Sequence, residues 1–460
     1  NGVIRINGGP GSGKTLVAVK RAIFLAKEYK YAEKNDKILF LFYNKSLKNT
    51  IQKLFNSDKN YKEVKDKIES IDSFFVKEYL NKLNEEFLTF LKSAKNNKDF
   101  KRSFEEDRKE RIESILNLKK GEFKRFSSKD TEFVLSEIDW LRNCCYTKKE
   151  EYIETSRLNQ PKLSKTDKEE IYKILDLYRG SRERTLRYTD FYDIALLFLF
   201  YYEKEENRQK IKKYNHIIVD EAQDLSKIHF RFINLICEIS KTSGNTMSLF
   251  MDKNQSIYSA QAWIYGSRTL KQVGINVNKS FILNRAYRNV KEIFDVAKKL
   301  VPEMKFDEDN SNNKNKNLTL TFSVDRGIKP FYIKYSAPED RFENLCKNIK
   351  ILVDEFNYKY DDISIIALKD KNMKEIEKYL KKYSIQYIRK NKSINSNAVN
   401  ITTYYSSKGT ENKVIFIPSI DELSPDDLVE FYPDKTSYEI LDELRKLLYI
   451  GMTRATEVLV

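Results

Sequence analysis

Eight residues near the start of the chain, Gly8-Gly-Pro-Gly-Ser-Gly13-Lys14-Thr15, restrict its folding more than any other segment. So many glycines cannot sit in the interior of a helix or strand without a large entropic cost, so the run must be a loop. The apolar residues before it, Val-Ile-Arg-Ile at 3–6, read as a short strand. Residues 14–27 follow with helical periodicity, which turns Leu16, Val17, Val19, Ala22 and Ile23 inward. A glycine loop between a strand and a helix, closed by Lys-Thr, suits a phosphate chain. Gly8, Gly9, Pro10, Gly11, Ser12 and Gly13 would wrap the phosphates with backbone N–H groups and the helix N-terminus. Lys14 would reach the β and γ phosphates, and the Thr15 hydroxyl would ligate Mg²⁺. The ligand expected is ATP; a plain glycine-rich turn is the alternative.

Other segments continue the same architecture. Residues 38–43 form an unbroken apolar run, as a strand buried on both faces does, and 217–219 and 247–251 repeat that character. Each ends in polar or acidic residues, where a parallel sheet offers its carboxyl edge to ligands. In Ile217-Ile-Val-Asp220-Glu221-Ala-Gln223-Asp224 the strand delivers two adjacent carboxylates. Asp220 would hold Mg²⁺ through water, and Glu221 would orient and deprotonate an attacking water. Gln223 and Asp224 are candidates to relay toward a second ligand.

The chain reads as an α/β protein with two parallel-sheet cores. Residues 1–75 and 186–275 make the first core, interrupted at 76–185 by a Lys- and Glu-rich helical insertion that includes a helix near 103–120. A second core occupies 276–460, with strands expected at 281–283, 331–333, 363–367, 399–403 and 414–417. Residues 307–317 contain no apolar side chain and read as a loop.

Composition narrows the partners. The chain has 460 residues, enough for about three domains, and its 40% hydrophobic residues, with 29 Tyr and 28 Phe, exclude a disordered chain. The longest uncharged apolar stretch, 194–202, is far short of the ~20 residues of a membrane-spanning helix. A net charge of +16 favours a polyanion such as nucleic acid. The cysteines, Cys144, Cys145, Cys237 and Cys346, lack zinc-site spacing and are expected as reduced thiols in the cytoplasm. Without an initial Met, and stopping inside a strand, the sequence reads as a fragment.

Six segments, in order, resemble the motifs of superfamily 1 helicase motors of the UvrD/Rep/PcrA type. After the phosphate loop comes Phe42-Tyr-Asn44-Lys45, similar to the motif whose aromatic stacks on a base. Asp220-Glu-Ala-Gln-Asp224 follows. Asp252-Lys-Asn-Gln255-Ser-Ile-Tyr258 is similar to the motif whose Gln senses the γ phosphate. Leu283-Asn-Arg-Ala-Tyr287-Arg288-Asn resembles the motif whose Tyr stacks on adenine and whose Arg contacts the γ phosphate. Thr402-Thr403-Tyr-Tyr-Ser-Ser-Lys408-Gly409-Thr-Glu411 resembles the motif whose Glu binds ribose or phosphate-side groups and whose Thr residues touch the nucleic-acid backbone. Leu448-Tyr-Ile-Gly-Met-Thr453-Arg454-Ala resembles the motif that carries a second arginine finger.

The resemblance implies two RecA-like cores that close on ATP and Mg²⁺ and move single-stranded or partly duplex DNA in the 3′→5′ sense. Lys14, Asp220, Glu221, Gln255, Arg288 and Arg454 would carry hydrolysis, with Tyr287, Gly409 and Glu411 around the nucleotide. Phe42, Asn44, Tyr258, Trp263, Thr402 and Thr403 are the nucleic-acid candidates, although Tyr258 and Trp263 suit a core equally well.

Several departures are visible. Leu16 stands where some relatives place an adenine-contacting Arg, and Asp72 where many have His. Only 120 residues separate Arg288 from Lys408, which leaves little room for the 2B subdomain. An ATP-gated binding switch with little unwinding is therefore the rival reading, and RNA is an alternative substrate. Residues 15–53 also resemble helicases whose neighbour is a nuclease-related domain, and the Gabija-type antiviral subunit is a further compact relative. A nuclease partner or domain outside the fragment is thus a possible context.

Overall fold

Two fully parallel β-sheets organise the chain. The structure, a computed structural model, describes residues 2–27, 37–42, 47–71, 105–119, 121–146, 148–155, 163–179, 191–211, 213–237, 244–256, 263, 269–301, 321–322, 328–335, 337–368, 370–389, 397–422 and 437–460. The first sheet contains β1 (Gly2–Gly8), β2 (Ile38–Phe42), β3 (Ile68–Ile71), β4 (His216–Asp220), β5 (Thr246–Met251) and β6 (Val277–Leu283), in the order β3-β2-β4-β5-β1-β6.

Strict alternation along these strands sorts the side chains onto two covered faces. Ile6, Phe40, Phe42, Ile218 and Phe250 pack beneath α1 (Lys14–Lys27) and α2 (Lys48–Ser57). Leu39, Leu41, Ile217, Val219, Met247, Leu249 and Met251 face the other way. They share one continuous core with α3 (Glu105–Leu118), α4 (Thr131–Asn143), α5 (Lys165–Arg179), α6 (Phe191–Glu203) and α7 (Lys227–Ile236). The helical insertion is thus fused to one face of the sheet. Its buried Asp139 carboxylate accepts from Arg108 and, at 2.5 Å, from Arg142.

A two-residue pair, β7 (Arg285–Ala286) with β8 (Thr321–Phe322), and α8 (Lys291–Lys298) lead to the second sheet. That sheet comprises β9 (Ile363–Ala367), β10 (Tyr387–Arg389), β11 (Val399–Thr403), β12 (Asn412–Phe416) and β13 (Ala455–Leu459), in the order β10-β11-β9-β12-β13. Ile363, Ile365, Val399, Ile401, Val414 and Phe416 meet α9 (Pro338–Asp354) and α10 (Asp370–Lys382). Ile366, Ile415 and Leu459 meet α8 and α11 (Ser437–Met452). The α/β class with two parallel-sheet cores is therefore the observed fold.

Four details differ from the sequence reading. The apolar segment at 281–283 is the end of β6, which adds to the first sheet beside β1 rather than opening the second. It is an edge strand with no continuous burial, so its composition does not announce its sheet. Its register shifts between Val3 and Ile4, where Asn278 Oδ1 accepts from the Val3 N–H at 2.6 Å in place of a ladder bond. Residues 331–333 form no strand. The Phe331 N–H donates to Leu459 O at 2.9 Å, but the side chains stay exposed. Leu16 and Val17 are exposed, and the buried stripe of α1 is Ala18, Val19, Ala22, Ile23, Leu25 and Ala26. Finally, β10 was not anticipated. Residues 307–317 lie outside the described residues. All four cysteines are buried free thiols, and among the described residues no helix is long and apolar enough to cross a membrane.

Candidate functional site

The phosphate loop turns as its glycines require. Gly11 has φ +67° and also passes so close to the next segment that a Cβ there would come within 2.4 Å of Arg288 Cβ. Gly13, at φ +81°, sets the first turn of α1, where Val17 N–H closes on Gly13 O at 2.9 Å. Lys14 is buried, and its ammonium donates to Gly8 O at 2.9 Å and Gly9 O at 3.0 Å, with Asp252 Oδ2 at 3.8 Å.

From the first turn of α1, Thr15 reaches the end of β4, where its hydroxyl donates to Asp220 Oδ2 at 2.7 Å. These two hard oxygens converge as a Mg²⁺ site requires, with phosphate and water to complete six ligands. Burial, with Glu221 beside it, pushes Asp220 up to about 7, as expected of a carboxylate arranged to meet a cation. Among the described residues no cluster of three His, Cys, Asp or Glu offers another metal centre.

Glu221 sits in the left-handed region at φ 57°, a conformation that non-glycine residues adopt at a cost of order 1 kcal/mol or more. Strain of this kind at a carboxylate on a cleft wall is a mark of function rather than packing. Burial works against its ionisation, but Lys408, Lys14, the Gln223 amide and Arg454 outweigh burial and hold it below the usual range. It is therefore ionised at neutral pH.

A chain of buried polar contacts runs from Glu221 into the second core. Gln223 Nε2 donates to Glu221, and Gln223 Oε1 accepts from the Asp252 N–H at 3.0 Å. Asp252 accepts from Gln255 Nε2 at 2.7 Å, and Gln255 Oε1 accepts from Arg454 Nη2 at 3.3 Å. Lys408, on the loop before β12, donates to Asp224 and, at 2.7 Å, to Gln255 O, with Glu221 3.9 Å away. Gly409 follows at φ +84°, where a Cβ would collide with Leu47 of the first core at 2.5 Å. Asp224 was a relay candidate from the sequence, and its contact with Lys408 gives that relay a partner in the second core; Lys408 and Asp252 stood inside recognised motifs with no role assigned to them. Lys408 lay inside a recognised motif, but nothing in the sequence indicates that a lysine is fully buried.

Between the sheets lies a cleft of about 750 Å³. Its walls include the phosphate loop, Glu221 and Gln255 from the first core, and Gly409, Glu411 and Arg454 from the second. Tyr287 and Arg288 also line it, but on the first core's side: they follow β6, and the Tyr287 N–H donates to Gly11 O at 2.9 Å. Asn289, the next residue, donates to Thr453 O at 3.0 Å and to Ala455 O at 2.5 Å, and Val290 is buried in the second core, so Tyr287 and Arg288 sit where the chain crosses from one core to the other. Tyr287 is 58% exposed and carries Arg285 against its ring, 5.4 Å from the centroid.

The nucleic-acid candidates are less united. Phe42 is 4% exposed and belongs to the core beneath α2. Trp263 is 5% exposed, with Nε1 donating to Thr269 O at 3.0 Å and Lys227 over its ring. Neither presents a face to a base. Thr402 is buried, and Thr403 caps the short helix Tyr404–Ser407, its Oγ1 accepting from the Ser406 N–H at 3.2 Å. Asn44, Tyr258 and Asp72 lie outside the described residues.

Two RecA-like sheets with a nucleotide-sized cleft between them define the class of protein. A family model for the UvrD/REP helicase N-terminal domain matches residues 1–262, more than half of the chain. The chain belongs to the UvrD/REP helicase family, whose members are ATP-hydrolysing DNA helicases. It is similar to a probable DNA helicase II homolog of Mycoplasma genitalium, 23% identical over 383 residues that make up 81% of this chain and 50% of that protein. The ATP-dependent DNA helicase Rep of Buchnera aphidicola is 29% identical over 186 residues, 40% of this chain and 25% of that one. The ATP-dependent DNA helicase srs2 of Schizosaccharomyces pombe is 24% identical over 203 residues, 43% and 21% of the two chains. The chain thus spans about half the length of the first of these relatives and a quarter or less of the other two.

Proposed function

We propose that the chain is an ATP-dependent motor that moves along single-stranded DNA in the 3′→5′ sense and separates duplex ahead of it. One observation carries this reading. The phosphate loop and Glu221 on one core face Arg454 on the other across a single cleft, and buried contacts through Gln255 and Lys408 join them. A ligand held by both walls must pull the cores together, and its hydrolysis must loosen them.

The residues divide the work. The loop backbone and Lys14 bind the β and γ phosphates, and Tyr287 offers its exposed ring to the base. Glu221 takes the proton of a water aligned with the γ phosphorus. Gln255, held by Asp252 and Arg454, senses whether that phosphate is present. Arg288 and Arg454 receive the charge that develops on the leaving oxygens. Thr15 and Asp220 would hold Mg²⁺, which when bound neutralises phosphate charge.

The segment Thr402–Thr403 leads directly into Lys408, so a strand bound there would be read by the same contact that touches Asp224 and Gln255. The proposed cores are 1–75 with 186–275 and 276–460, amended so that β6 joins the first, with the 2B subdomain reduced.

Steady-state ATP hydrolysis with poly-dT, duplex DNA or single-stranded RNA, at two salt concentrations, tests the reading. Strong stimulation by single-stranded DNA that weakens with salt supports it. Hydrolysis without stimulation by any nucleic acid refutes it. Displacement of a strand from a 3′-tailed but not a 5′-tailed duplex tests polarity, and stimulated hydrolysis with no displacement favours the binding switch.

A further inference from the structure

The two arginines of the cleft are held in contrasting ways. Arg454 is 1% exposed and fully committed: Nε donates to Ile450 O at 3.0 Å, Nη1 to Thr410 O at 3.3 Å, and Nη2 to Gln255 Oε1 at 3.3 Å. Arg288 has its backbone seated against the phosphate loop, as the Gly11 contacts show. Its side chain lines the cleft, and Nε donates to Glu411 Oε2 at 2.5 Å. Glu411 lies one residue before β12 of the second sheet, and its side chain is 58% exposed. A guanidinium placed to receive a terminal phosphate therefore already holds a carboxylate inside the cleft.

We infer that Glu411 competes with the terminal phosphate of the nucleotide for Arg288, and so sets the relative affinity of the cleft for triphosphates and diphosphates. The inference rests on the proposed function. A triphosphate must exchange the Arg288–Glu411 pair for an Arg288–phosphate pair, and the cost of breaking the first is subtracted from the gain of the second. A diphosphate leaves the pair intact and pays nothing. After hydrolysis Arg288 returns to Glu411, which favours release of the product. This differs from a ribose contact by Glu411, which would help triphosphate and diphosphate alike.

The direction of the effect separates the two. Affinities for a non-hydrolysable β,γ-imido ATP analogue and for ADP are measured by fluorescent-nucleotide competition on the full chain. The variants are wild type, Glu411→Gln, Arg288→Ala and the double substitution. Because Glu411 is exposed, the Gln variant keeps the fold. The pair is partly solvated, so Glu411→Gln is expected to raise the triphosphate-to-diphosphate affinity ratio about 2- to 5-fold, the range of such ion pairs. In the Arg288→Ala background the same change should leave the ratio where Arg288→Ala sets it. Equal weakening of both nucleotides by Glu411→Gln overturns the inference, as does a rise in the ratio that persists without Arg288. If the wild-type chain binds neither nucleotide, the proposed function falls with it; binding of both with the wrong response to Glu411→Gln overturns this inference alone.

Discussion

Lys408 offers the most demanding test of the buried network. Its side chain is fully buried, yet it carries a charge balanced by Asp224, also buried, and by Glu221 at 3.9 Å. Lys408→Met keeps most of the volume and removes the charge, leaving the Asp224 carboxylate and the Gln255 carbonyl without their Lys408 donor and Glu221 without a nearby counter-charge. Removing one partner of a buried pair costs about 3–5 kcal/mol, whereas replacing both by apolar groups is often neutral. For a cooperative unit of 150–250 residues, where 1 kcal/mol is about 2–4 °C, the single variant should melt about 6–20 °C lower. The double variant Lys408→Met/Asp224→Leu should regain most of that. Differential scanning fluorimetry at pH 7.5 on the four proteins of the cycle reads the coupling directly. A single variant within about 1 kcal/mol of wild type, or a double variant whose losses simply add, would refute the claim that this pair ties the cores together. The restored double variant should still lack stimulation of ATP hydrolysis by single-stranded DNA, because the link, and not only the fold, depends on Lys408.

Three further outcomes follow from the same geometry. Burial pushes Asp220 up to about 7, so below that pH a proton competes with the cation. The apparent Mg²⁺ affinity of the nucleotide-loaded chain should fall about tenfold per unit below pH 7 and level off above it, and Asp220→Asn should remove the protein's share of that slope. Glu221→Gln should bind ATP normally in a fluorescent-nucleotide titration while turnover drops by about 10²–10⁴, the usual contribution of a general base; wild-type turnover would exclude Glu221 from that role. Trp263→Phe deletes the bond to Thr269 O, a loss of about 0.5–1.5 kcal/mol in stability. It should leave single-stranded DNA affinity unchanged at fixed salt, and a large loss of affinity at unchanged stability would make Trp263 a base platform after all.

The composition and spacing of the chain determined by themselves the elements whose cause is local. The glycine run, the apolar strands at 38–42 and 363–367, the helix Lys14–Lys27 and the Asp220-Glu221 pair all follow from backbone conformational limits and burial patterns within a few residues. Tertiary structure alone decided what depends on distant partners. An edge strand has no burial signature of its own, so only its pairing with β1 carries β6 to the first sheet and leaves Arg288 at the crossing between the cores. Phe42 read as a stacking platform and Trp263 equally as platform or core, because an aromatic side chain is chosen for either; packing beneath α2 and the bond to Thr269 placed them inside. Nor can a sequence disclose that Lys408 is buried, since a lysine is normally solvated, and it is buried here only because carboxylates from the turn after β4 and a carbonyl from the turn after β5 converge on its ammonium. Local patterns specify the elements that can be formed, and long-range charge compensation decides which of their side chains meet.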